Sequence, residues 1–178
     1  MKNKEVWEHL SKELAKANTI LSLSRKIIAS ILFIRARYNL FTVTVLDSYT
    51  RVIFLSIHNL FDKKLSWSLY SLGDLSDTEN NKIHELESKS EKYIKVRHTE
   101  IGHSSKQVKL EKHKRLQWLP SDELEKVEEL FKEISRFLNA YGMKRFNEGY
   151  SFRYGGPDSS LQCLIEDIEE VQKDYGKK

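Results

Sequence analysis

Seven consecutive residues, Arg97-His98-Thr99-Glu100-Ile101-Gly102-His103, bring together a permanent cation, two imidazoles and a helix-stopping glycine. Histidine titrates near neutrality, so His103 could take a proton from a ribose hydroxyl or return one to a departing oxygen. Arginine stays charged and offers a planar fork of donors, which suits the added negative charge of a phosphorane-like transition state. Such a pair suffices for cleavage of RNA without a metal, the 2′-hydroxyl attacking its own phosphate. DNA lacks that nucleophile.

Residues at this separation lie about 240° apart around a continuous helix and do not share a face. Gly102 resolves the difficulty, because a glycine just past the last turn takes the left-handed conformation that ends a helix. Arg97 and His98 then sit on the last turns, with His103 just beyond and free to turn back; alternatively, the partner histidine comes from a second subunit. A structural explanation competes with the chemical one. Cations near a helix C-terminus gain roughly 0.3–1 kcal/mol each from the helix dipole, which alone accounts for Arg97, His98 and His103.

The elements that must position these residues read as helices. A chain of 178 residues with 39% hydrophobic content can bury one sizeable core, so residues 1–178 are expected to form a single domain. Seven glycines and two prolines leave little material for a many-turned β protein, and the expected class is all-α, an antiparallel bundle of about four to six helices. Val6, Trp7, Leu10 and Leu14 recur at helical spacing, and the pattern continues through Leu23, Ile27 and Ile31. It predicts one long helix, or two broken near Asn18-Thr19, ending around Arg35 to Asn39. Between Leu40 and Phe61 the residues Val43, Val45, Val52 and Ile53 locally favour a strand. Length and the stripe Leu46, Tyr49, Ile53, Leu60 decide for a helix, with Asp47, Arg51 and His58 on or near it as core or rim positions.

Asp62-Lys63-Lys64 ends that helix, and Ser66-Trp67-Ser68-Leu69 opens a short helical piece closing at Gly73. Ser76 or Asp77 is an N-cap for a helix through Ile83, Leu86, Tyr93 and Val96 that leads into Arg97. A basic loop follows at 104–119, in which Trp118 either anchors the loop to the core or, with His113, stacks on bases. Ser121 then caps a helix with a strong apolar stripe, Val127 to Tyr141, for which Gly142 is the expected terminator. An aromatic loop at 147–160 precedes a final acidic helix at 161–175.

Charge is uneven. Against a net charge of +4, the stretch from Lys89 to Arg115 holds nine lysines and arginines and three glutamates. Such a patch attracts a polyanion in a salt-dependent way, although most lysine-rich helix faces are merely solvated. Cys163 is the only cysteine, which excludes an internal disulfide, a structural zinc cluster and a CxxC redox motif, and fits a cytoplasmic protein. The N-terminal stretch is amphipathic rather than signal-like, and the apolar run from Ile27 to Ile34 is too short to span a bilayer. No Gly-rich phosphate loop, HExxH or GxSxG occurs, and neither a metal nor a cofactor is expected.

Arg-x5-His at the end of the third long helix of an all-helical domain resembles the HEPN superfamily, with His98 in the polar slot after the arginine. The stretch Arg51 to Asp62, followed by Leu65-Ser66-Trp67-Ser68-Leu69, is similar to the abortive-infection AbiU-like branch. The resemblance implies a metal-independent endoribonuclease, dimeric, with two motifs facing each other across one cleft at the subunit interface. By this resemblance Arg97 and His103 are the catalytic pair. His98, Ser104, Lys106 and Lys109 are the expected substrate-binding residues, RNA the substrate, and an antitoxin protein a further partner in phage defence or a toxin–antitoxin system. Ser105 stands where members paired with nucleotidyltransferase antitoxins carry a modifiable tyrosine. The alternative is a non-catalytic helical module that binds RNA or protein and retains the motif; a plain dimeric scaffold is a third reading.

Overall fold

In a computed structural model, residues 2–29, 40–96 and 121–150 are described. They form four α-helices and one short 3₁₀ turn: α1 (Lys2–Ala29), α2 (Leu40–Phe61), the turn (Leu69–Ser71), α3 (Asp77–Val96) and α4 (Ser121–Phe146). The chain is all-α. Trp7 meets Leu138 while Arg25 meets Glu128, so α1 and α4 run antiparallel. Lys82 reaches Glu133 and Lys92 reaches Glu123, which sets α3 against α4 in the same sense. Phe54 packs on Tyr93, and Lys63, just past α2, pairs with Glu87. The helices therefore alternate in direction around the bundle, each packed on its neighbours in the order α1, α2, α3, α4 and back to α1.

The helical spacing of apolar residues builds one core. Leu10, Leu14 and Leu21 from α1, Ile53, Ile57 and Leu60 from α2, Ile83 and Leu86 from α3, and Val127, Phe131, Ile134 and Leu138 from α4 are all buried in a single cluster. Removing each such side chain from water contributes about 1.5–3 kcal/mol. Asn18 and Thr19 do not break α1, which runs through them unbroken; the Thr19 hydroxyl is accommodated by donating to the Ala15 carbonyl at 3.0 Å. The expected end of this helix near Arg35 to Asn39 lies outside the described residues. α2 spans Leu40–Phe61 despite its β-branched residues, because Leu46, Ile53, Ile57 and Leu60 bury one helical stripe and tertiary burial outweighs local strand preference.

Gly142 does not end α4. The helix continues to Phe146, and Asn147, at φ 55°, takes the left-handed position instead. Gly142 serves a different need, the close approach of Trp7. A β-carbon there would stand 2.6 Å from Trp7 Cε2 and 2.7 Å from the Glu148 carbonyl. With the indole against bare backbone, its Nε1–H donates to the Leu138 carbonyl at 2.8 Å, so the buried donor is satisfied.

Ser76, rather than Asp77, caps α3. Its amide and hydroxyl donate to Glu79 Oε2 at 2.8 and 2.9 Å, and its hydroxyl oxygen accepts the Glu79 amide at 3.4 Å, a reciprocal capping box. Glu79 also receives Arg145 from the end of α4 as a two-pronged pair, Nη1 to Oε1 at 2.9 Å and Nη2 to Oε2 at 2.8 Å. Arg145 lies 4.0 Å over the Tyr141 ring, and the Tyr141 hydroxyl donates to the Gly73 carbonyl at 2.9 Å. This side-chain cluster locks the turn before α3 onto α4. The Arg145 guanidinium, helped by Ser76, holds the Glu79 carboxyl well below its ordinary value of 4.5.

Two outcomes follow. Gly142→Ala, although it improves helix propensity by up to about 1 kcal/mol, is expected to lower the urea midpoint, because overpacking against Trp7 costs roughly 1–3 kcal/mol; an unchanged midpoint contradicts the close-approach role. Arg145→Met is expected to cost roughly 2–3 kcal/mol at neutral pH. Because the folded-state pKa of Glu79 is depressed, its contribution is present above the unfolded value of 4.5 and is lost as pH falls below it. Chemical denaturation at a series of pH values should thus show a shallower acid loss in the variant than in the wild type.

Candidate functional site

α3 leads directly to the Arg97 motif, so what fixes the end of α3 fixes where the motif begins. Its last turns are held from two sides. Tyr93 is buried, its ring centroid 5.5 Å from that of Phe54 on α2, and its hydroxyl donates to Glu123 on α4 at 3.2 Å. Lys92 Nζ donates to the same carboxylate at 2.5 Å, and Lys126 to its other oxygen at 2.7 Å. Lys126 and then Lys92 pull the Glu123 carboxyl down to about 2, while burial pushes the Tyr93 phenol up. The carboxylate stays ionised and acts as a hub joining α3 to the first turn of α4.

Arg97, His98, His103, Ser104, Lys106 and Lys109 lie outside the described residues, as do the basic loop at 104–119 and the helix expected at 161–175. The described part of the basic stretch is less bare than its linear count. Lys89 pairs with Glu85 and with Glu133 on α4, both at 2.8 Å; Lys92 pairs with Glu123; Lys95 pairs with Glu91 at 2.7 Å. Three of these four carboxylates fall outside the segment from Lys89 to Arg115, and two of them, Glu133 and Glu123, reach it only because α4 packs on α3. Of the polar residues on α2, Asp47 and Arg51 pair with each other at 2.8 Å on the surface, and His58 is buried, 8% exposed. Among the described residues no three of His, Cys, Asp and Glu cluster in a way that could hold a metal ion.

A second feature has no counterpart in the sequence reading. A cavity of about 680 Å³ opens between α1 and α4, within the size range of small-molecule sites. Arg25 of α1 meets Glu128 of α4, and Lys132, one turn along, donates to the other oxygen of the same carboxylate at 3.0 Å. Arg136, a further turn on, also lines the cavity. At its far end Asn139 Oδ1 accepts the Tyr150 amide at 2.8 Å. The sequence signal was the spacing of Glu128, Lys132 and Arg136 on one face of α4, which in isolation is that of a solvated helix.

The fold defines the protein as an all-α bundle of up-and-down topology. Comparison with known proteins returns no matching family model, no similar curated protein and no similar solved structure. No helix among the described residues is long and apolar enough to cross a membrane.

The Glu123 hub makes a local prediction. Glu123→Gln should speed amide hydrogen exchange in the last turns of α3 by roughly two- to fivefold, the equivalent of about 0.5–1 kcal/mol for a partly exposed pair. Protection elsewhere in α3 should change less; a uniform change along the helix would contradict the assignment.

Proposed function

We propose that this protein is a metal-independent endoribonuclease of the HEPN type, acting as a homodimer in which two copies of the Arg97-x5-His103 motif share one RNA-binding cleft. The observation that carries the reading is the setting of α3 in an all-α bundle. This helix is pinned through Tyr93, Phe54 and Glu123 and is described as far as Val96, the residue before Arg97. The element that precedes the motif is thus firmly held. Arg97 clamps the scissile phosphate and its transition-state charge, and His103 moves the proton. His98, Ser104, Lys106 and Lys109 contact substrate, the lysines along the phosphate backbone. The setting is cytoplasmic, in phage defence or as the toxic partner of an antitoxin protein.

A second reading is a helical RNA-binding or protein-interaction module without catalysis, and the ion pairing of Lys89, Lys92 and Lys95, which removes much of the free positive charge from α3, favours its protein-interaction form. One experiment separates the two. Purified wild type, Arg97→Ala and His103→Ala are compared in an RNA-degradation assay and in RNA binding. The catalytic reading expects either substitution to lower cleavage by about 10²-fold or more, with binding largely kept in His103→Ala. Equal cleavage by all three removes the assignment, and RNA binding without cleavage by the wild type selects the second reading.

A further inference from the structure

The outward face of α2 is unlike that of the other described helices. Positions open to solvent on α1, α3 and α4 are mostly ionisable, as at Lys12, Glu85, Lys89 and Glu125. On α2 the exposed positions are Thr44, Ser48, Arg51, Val52, Leu55 and Asn59. The one ionisable group among them, Arg51, is already answered on its own helix by Asp47 at 2.8 Å. Val52 and Leu55 are each 40% exposed. The opposite face of α2 is committed to the core through Leu46, Ile53, Ile57 and Leu60. Of the described helices, α2 thus comes nearest to the all-round apolar pattern of a helix buried on both sides, and its outer face is open.

The spacing on that face identifies the partner. Ser48, Val52, Leu55 and Asn59 follow one another at intervals of four, three and four, which sets them along one line of the helix, the seam spacing of paired helices. The line is also symmetric in kind: polar, apolar, apolar, polar. Two copies laid antiparallel about a twofold axis between residues 53 and 54 set Val52 of one against Leu55 of the other, twice over. The same register sets Ser48 against Asn59. The Ser48 hydroxyl donates to the Thr44 carbonyl at 2.8 Å, which leaves it an acceptor for the N–H groups of an Asn59 carboxamide. Arg51 meets the uncharged Ser56, and no like charges are opposed. An isologous contact requires a surface that complements itself in this way. A partner of another sequence places no such demand on the spacing.

We propose that α2 is a dimerisation surface, which pairs with α2 of a second copy of this chain, antiparallel about an axis at residues 53 and 54. The inference rests on the homodimer of the proposed function and names its surface. The register has a consequence for α3. Phe54, beside the axis, packs on Tyr93 with ring centroids 5.5 Å apart, and Tyr93 stands within one turn of Val96. The described ends of both α3 helices therefore lie level with the axis, one on each side.

The test is sedimentation of the full-length chain over a concentration series. Wild type is expected to associate reversibly to a dimer. A substitution enters a twofold interface twice, so Leu55→Glu, at an exposed position, should weaken the dimer by about a hundredfold or more, an unpaired carboxylate being buried against Val52 in both copies. Ser48→Lys and Asn59→Glu combined in one chain should associate at least about tenfold more tightly than Ser48→Lys alone. The two new charges oppose each other across the axis but stand about three turns apart within a chain. Circular dichroism confirms that each variant is folded. A dimeric wild type with unchanged association in folded Leu55→Glu overturns the surface and leaves the homodimer of the proposed function standing. No gain in the double variant overturns the register. A wild type that stays monomeric throughout overturns the inference, and the RNA-degradation assay then judges the nuclease reading separately.

Discussion

The contact on which the bundle depends is that of Trp7 with the bare backbone at Gly142. It brings the largest side chain of α1 against α4 where no β-carbon intervenes, and it gives the buried indole N–H a carbonyl at Leu138, 2.8 Å away. An aromatic of that size buries about 150–250 Å², so this one placement fixes both the spacing of the two helices and their register. With α1 and α4 set, α2 and α3 fill the remaining two positions around a common core. The Arg145 and Glu79 pair then fastens the end of α4 to the start of α3. At the opposite end, the Glu123 hub joins the finish of α3 to the start of α4.

The helices were legible because burial enforces a periodicity that sequence displays directly. The bounds of α2, Leu40 to Phe61, and the capping signal at Ser76 could be read that way, since each depends on residues within a few positions of one another. Gly142 was misread for a physical reason: a glycine signals either a left-handed turn or a close approach, and only the partner tells which. That partner, Trp7, lies at the other end of the described chain. Asn147, which does adopt positive φ, carries the same left-handed tolerance as glycine but a weaker signal.

Electrostatics were the least legible part. A window from Lys89 to Arg115 shows a positive run, yet the carboxylates that answer Lys89 and Lys92 stand on α4 at Glu133 and Glu123. The α1–α4 cavity was hidden by the same cause, because Arg25 and Lys132 meet only through Glu128 once the helices pack. The Arg97 and His103 motif was visible as residue types and spacing. The fold supplies the rod before it, α3.

The functional account joins these points through one chemical requirement, that the substrate itself provides the nucleophile while the protein provides a fixed cation and a proton carrier. The most direct measurement compares cleavage of an RNA oligonucleotide with that of the same sequence carrying a single 2′-deoxy substitution at the scissile position, both in excess chelator. The account predicts that the ribose substrate is cut to a product ending in a cyclic phosphate and the deoxy substrate is untouched at that bond. Cutting of the deoxy substrate at that bond, or loss of all cleavage on chelation, would contradict it.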